Sequence, residues 1–197
     1  MTEERTAGRV PTATMDPDVI DLLIGQHMEI RDLFTEVEAA TGDARADVFG
    51  RLVTLLAVHE TAEEQVVHPM ARGALDGGDD VVDARLAEER QAKELLGELE
   101  KRDPGSAEFD TLLAGLRVAV LAHANSEEAH EFRYLRRTVD PARLRAMATM
   151  VRAAEATAPT HPHPGVESAK ANLTVGPVVA AFDRARDLFT KARSGKD

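Results

Sequence analysis

The 197-residue chain has no cysteine, no tryptophan and a single tyrosine. The missing thiols exclude disulfides, thiolate zinc sites, iron–sulfur clusters and cysteine nucleophiles. Aromatic residues make up only 4% of the chain, so a core must be aliphatic, built from Leu, Val, Ala and Ile. No run approaches the 18 apolar residues of a membrane span. Residues 1–10 are charged and lack the apolar centre of a signal peptide. Positive charge is scarce as well. The net charge of −11 argues against a nucleic-acid partner, which selects for a basic face. These absences predict a cytoplasmic protein with neither a membrane nor a nucleic-acid partner.

What is present is helical. Residues 1–15 read as a flexible leader. Asp16-Pro17 reads as an N-cap and first helical residue, followed by Leu23, His27, Ile30, Phe34 and Val37 at steps of three and four. Thr41-Gly42-Asp43 breaks that helix. A second carries Leu52, Leu56, His59, Glu63, Val66 and Met70 on one line, with Pro69 expected to kink or end it. After a turn-rich stretch from Gly73 to Asp80, a third helix spans about Val81 to Lys101, with Val82, Leu86, Glu89, Leu96 and Leu99 inward. Ser106 caps a fourth, whose line is Leu113, Leu116, Val120, His123, Glu127, His130 and Tyr134. Short connections make neighbours antiparallel, which predicts an all-α, up-down-up-down four-helix bundle over residues 16–138. Residues 139–197 form a C-terminal extension. In it Asp140-Pro141 caps a fifth helix to about Ala156, a Pro/His-rich loop covers 157–176, and a last helix spans about Pro177 to Lys191.

A bundle seam should be apolar, yet each of these carries polar groups near mid-helix: His27, then His59 and Glu63, then Glu89, then His123 and Glu127. The second and fourth helices repeat His-x-x-x-Glu-Glu at 59–64 and 123–128. Spacing i, i+4 stacks both side chains on one face. A buried unpaired carboxylate costs several kcal/mol, so it pairs, protonates or binds metal. At 1.5 Å rise per residue in alternating helices, all six groups reach one level. Imidazole and carboxylate donors suit iron, manganese or zinc, and six exceed the needs of one tetrahedral zinc. The spacing therefore predicts two ions. His27, His59 and Glu63 surround one, Glu89, His123 and Glu127 the other, and Glu63 and Glu127 bridge. The bland alternative is a hydrogen-bonded or salt-bridged seam without metal. Glu60, Glu64 and Glu128 read as solvated.

Taken together, Gln26-His27-Met28-Glu29-Ile30-Arg31, the two His-x-x-x-Glu-Glu segments and Val67-His68-Pro69 resemble the hemerythrin HHE cation-binding domain over roughly residues 18–138. The tail resembles those of actinobacterial hemerythrin-like proteins. The resemblance implies a four-helix bundle with a non-haem diiron centre, held at His27, His59, Glu63, His123 and Glu127. It implies a small ligand: dioxygen, peroxide or nitric oxide, bound, sensed or turned over. The chain departs from the family at Glu88-Glu89, where Glu-His is usual, so Glu89 stands in a histidine position. A more anionic site favours ferric iron, which shifts the expectation from oxygen carriage to redox chemistry, sensing or metal handling. A metal-binding or storage module without turnover and a metal-free structural bundle are the competing readings.

Further residues carry weaker expectations. His130, one turn past Glu127, reads as a core histidine or a spare ligand. His161 and His163 flank Pro162 in a stiff connector, or in a lid that supplies a nitrogen ligand. His68 reads as a helix-end residue. Lys93 snorkels outward or pairs with Glu89, and Tyr134 packs.

Overall fold

The computed structural model describes residues 16–162. The leader at 1–15, His163 and the helix expected at 177–191 lie outside the described residues. Those described are helical throughout, with no strand among them.

The first helix, α1 (Val19–Ala39), starts two residues later than Asp16-Pro17 suggests. Asp18 is the N-cap, accepting from the Ile20 and Asp21 amides at 2.9 and 3.0 Å, while Asp21 accepts from the Asp18 amide at 3.3 Å. This reciprocal box needs an acceptor three residues after the cap. Asp18 has Asp21 there, whereas Asp16 would have Val19.

The second helix is longer than Pro69 suggests. α2 (Gly42–Ala62) passes through a π-turn (Glu63–Val67) into α3 (His68–Ala74). Pro69 lacks an N–H and its ring crowds the carbonyl four residues back, at Gln65, inside the widened turn. Of the two outcomes expected at Pro69, the helix is distorted rather than ended: it bulges and continues. An elbow follows, with Gly77 left-handed at φ 68°. A Cβ on Gly78 would come within 2.5 Å of the Arg72 carbonyl oxygen, so only glycine fits where α4 (Gly78–Leu99) begins against the end of α3.

Ser106 caps α5 (Ala107–Ser126) by accepting from the Phe109 amide at 3.2 Å. A second π-turn (Glu127–Phe132) leads into α6 (Arg133–Thr138). Both π-turns begin at an inward-facing glutamate of the repeated motif. Asp140 accepts from the Ala142 and Arg143 amides and caps α7 (Pro141–Glu155). The four long segments make the up-down-up-down bundle, and α7 packs on α1 and α2.

Two apolar clusters fill the bundle. One joins Ile30, Phe34, Phe49, Leu52, Leu56, Leu96, Phe109, Leu113 and Val120. The other joins Ile20, Leu23, Ala62, Val66, Phe132 and Leu135 to Leu144, Met147 and Val151 of α7. Along each helix the boundary falls at a polar residue. His27 lies between Leu23 and Ile30, and His59 between Leu56 and Ala62. Each buried Leu or Phe stabilises the fold by about 1.5–3 kcal/mol. Together they hold closed a polar band that would otherwise draw in water.

Candidate metal centre

The band contains His27, His59, Glu60, Glu63, Glu64, His68, Glu89, Lys93, His123, Glu127 and Glu131, all buried. All six seam residues expected from the sequence are among them. Donor atoms of His27, His59, Glu63 and Glu127 lie within 4.8 Å of one another. Those of Glu60, Glu89 and His123 form a second such group, and those of His68, Glu127 and Glu131 a third.

The histidine rings share one orientation. Nδ1 of His27 faces Glu128 at 2.9 Å, Nδ1 of His59 faces Gln26 at 2.8 Å, and Nδ1 of His123 faces Glu88 at 3.0 Å. The outer nitrogens are thus occupied and the Nε2 atoms point inward. His27 Nε2 and His123 Nε2 lie 3.4 Å from the two oxygens of Glu127, and His59 Nε2 lies 3.3 Å from Glu63. Among the described residues, His27 Nε2, His123 Nε2 and both carboxylate oxygens of Glu63 and Glu127 have no hydrogen-bond partner. Buried polar atoms are rarely left so. Two ligands about 2.1 Å from a common ion and at right angles to each other sit roughly 3 Å apart, close to these spacings. Rings anchored at Nδ1 with Nε2 free are the arrangement that supporting hydrogen bonds give metal-binding histidines. The residues present fit metal.

The electrostatics agree. Burial pushes Glu63 well above the usual carboxylate range, with Glu127 and Glu89 adding to the shift. Burial does the same to Glu89, next to Glu60 and Glu64. Burial would also raise Glu127, but the neighbouring His123 and His27 outweigh it and hold it at about 2. His123 is the counterpart. Burial lowers it, yet Glu127 and the hydrogen bond to Glu88 lift it to about 10. Burial presses His59 well below its ordinary value. A bound cation would relieve the crowded carboxylates in one step.

Several expectations need correction. His68 begins α3, as a helix-end residue, but it is also part of the polar band. It is buried, with Nε2 2.5 Å from Glu89. The nitrogen missing from position 89 therefore stands beside it, delivered from α3. Glu131, not singled out in the sequence, is buried near His68 and Glu127, 3.3 Å from Arg85. Glu60 and Glu64 are buried rather than solvated, and Lys93 is buried against Glu64 rather than snorkelling or pairing with Glu89. Glu128 is only partly exposed, held by His27 and by Arg31 at 2.9 Å. His130 is exposed, neither a core residue nor near the donors, because the π-turn rotates it outward. His161 pairs with Glu100 at 2.6 Å, beyond the end of α4, and belongs to none of the donor groups. Its neighbour Pro162 reaches the bundle wall at Leu56, Glu60, Lys93 and Leu116.

No helix among the described residues is long and apolar enough to cross a membrane. The family model described as the hemerythrin HHE cation binding domain matches residues 18–135. A crystal structure of a hemerythrin HHE cation binding domain-containing protein from Mycobacterium kansasii superposes with a TM-score of 0.63 at 19% identity, covering 72% of this chain and 86% of that one. An uncharacterized hemerythrin-like protein of Schizosaccharomyces pombe is 24% identical over 176 residues, 88% of this chain and 87% of its own. A protein of a Nostoc species named DNA nickase is 26% identical over 141 residues. That stretch is 71% of this chain and 40% of the relative, so the chain spans about two fifths of that protein's length.

Proposed function

The chain belongs to the hemerythrin HHE cation-binding family, and on that premise we propose that it is a non-haem diiron protein that binds or senses dioxygen, peroxide or nitric oxide, with redox turnover as the accompanying chemistry. The membership establishes a metal-binding helical protein. The finer reading rests on one observation: three inward Nε2 atoms, each on a ring anchored at Nδ1, around carboxylates without hydrogen-bond partners.

In this reading His27, His59, Glu63 and Glu127 hold one ion. His68, His123 and Glu89 would hold the other, and Glu63 and Glu127 would offer carboxylates to both. Two irons would supply electrons and an open coordination position for a small ligand. The protein's own residues orient and exclude. Glu128, Gln26 and Glu88 fix the histidine rings. Ile30, Leu56, Val120 and Leu121 line a small cavity against His27, His59 and His123 with room for about one water-sized guest. A guest there would lie directly against the three histidines.

Metal analysis of freshly purified protein tests the proposal, with about two irons per chain expected. Near-ultraviolet charge-transfer absorption that changes on adding peroxide or oxygen supports ligand chemistry. Two irons with an unresponsive spectrum would leave a storage or metal-binding module. A folded chain that retains no metal would overturn the proposal in favour of a structural bundle.

A further inference from the structure

We propose that Glu155, the last residue of α7, is a positioning residue that sets the ring tautomer of His59 through the side-chain amide of Gln26. The metal consequence rests on the diiron reading above; the tautomer itself does not.

The three anchored histidines are not held alike. His27 and His123 present Nδ1 to carboxylates, Glu128 and Glu88, which only accept. Their Nδ1 must carry a proton, so Nε2 is the nitrogen they can offer a metal. His59 presents Nδ1 to an amide, which can turn either its oxygen or its NH2 group toward the ring. With the oxygen facing the ring, Nδ1 donates and Nε2 is free to coordinate. With the NH2 facing it, Nδ1 must accept, and the proton moves to Nε2, the atom 3.3 Å from Glu63. The Gln26 amide by itself leaves both arrangements open.

Glu155 decides. Its carboxylate accepts from the Gln26 NH2 group at 2.5 Å. With the NH2 committed to Glu155, the oxygen faces His59, where it lies 2.8 Å from Nδ1. Glu155 is held in place by the packing of α7, whose Val151 and Ala154 are buried against α1 and the first π-turn. It lies twenty residues beyond the end of the matched family region at residue 135. The part of the extension nearest the bundle thus completes the support of one inward nitrogen, a role that the four-helix core leaves open.

A charge reversal tests this. In Glu155→Lys the new ammonium only donates, so it draws the Gln26 oxygen and turns the NH2 toward His59. Long-range 1H–15N spectra of the metal-free protein at neutral pH are expected to show the His59 proton on Nδ1 in wild type and on Nε2 in E155K. In chelator competition E155K is expected to hold metal about tenfold or more weakly. The double variant Q26E/E155K restores an accept-only group beside Nδ1, paired with the new lysine, and should recover both readouts. A merely structural role for Glu155 would leave the tautomer unchanged, and that result, or failure of the double variant to restore it, overturns the proposal. Should E155K not fold, Glu155→Met is expected to give a mixture of the two tautomers, and a single wild-type tautomer there overturns it equally. Wild-type protein that holds no metal while its tautomer responds to residue 155 would refute the diiron reading and leave the relay standing.

Discussion

His68 Nε2 lies 2.5 Å from a carboxylate oxygen of Glu89, joining α3 to α4 at the level of the inward histidines. The glutamate that replaces an expected histidine is therefore not a lost donor. An imidazole from a neighbouring helix stands against Glu89, and the two residues form a hydrogen-bonded pair. His68→Ala is expected to lower the metal content by about one ion per chain while the fold persists. Adding Glu89→His to that variant should restore it, since the nitrogen then returns from α4. Metal content measured on both folded proteins checks this, and an undiminished value in His68→Ala would remove His68 from the centre.

Glu63 meets the donors from the first π-turn and Glu127 from the second, and among the described residues neither carboxylate has a hydrogen-bond partner. Glu63→Ala and Glu127→Ala should each abolish stoichiometric metal. A ligand present at 100 to 1,000 times its dissociation constant stabilises the fold by roughly 3–4 kcal/mol, so both variants should lose about that much of the loaded protein's stability. Without metal, Glu63→Gln should be neutral or stabilising by about 1 kcal/mol, because it removes a carboxylate that burial disfavours. Thermal unfolding with and without chelator separates the two effects. Wild-type metal content in both alanine variants would refute the bridging role.

The metal-free protein should have a definite pH profile. His123 is raised to about 10, above its unfolded value near 6.5, so its contribution is complete below pH 6.5 and fades as pH rises through 10. Glu127 is lowered to about 2, so its contribution is complete above about pH 4.5 and fades as pH falls toward 2. Glu131, raised to about 7 chiefly by burial, adds stability at low pH that is lost as pH rises through 7. Across these three groups stability without metal should therefore be highest near pH 4.5 and fall on either side. Metal binding needs deprotonated donors, so the loaded protein should instead gain stability toward pH 8. Urea midpoints measured with and without chelator test this, and parallel profiles would contradict it.

Lys93 is buried against Glu64, with Glu60 and Glu89 close enough to raise it although burial opposes the shift. Lys93→Met should destabilise the fold by about 3–5 kcal/mol, because it removes the buried cation from among Glu60, Glu64 and Glu89. Lys93→Met with Glu64→Leu should recover most of that loss. Denaturant unfolding of both variants provides the measurement, and a mild single variant would mean that water reaches Glu64.

The legible part of this protein was what a 3.6-residue period carries. His27, His59, Glu63, Glu89, His123 and Glu127 sit on straight seams, and Ser106 and Asp140 cap helices as their neighbours suggest. Part of what escaped lies at or beyond the π-turns. Five residues of α-helix turn a side chain about 500°, leaving it some 140° from its starting face. On that arithmetic His68, five after Glu63, points away from the centre. A π-turn takes up one extra residue, so His68 returns to the seam, as Phe132 does after Glu127. Pro69 was the available signal, since a proline inside a periodic segment must distort the turn before it. The second π-turn contains no comparable residue. The burial of Glu60 and Glu64 depends on Lys93 arriving from another helix, which no local pattern encodes.

The tight elbow at Gly77 and Gly78 links this geometry to inheritance. Any side chain at residue 78 would push the end of α3 off the start of α4, and those two segments carry His68 and Glu89. A screen for bleached colonies or iron-poor lysates would thus be expected to recover alleles at a glycine that never meets a cation, with every donor intact in the gene.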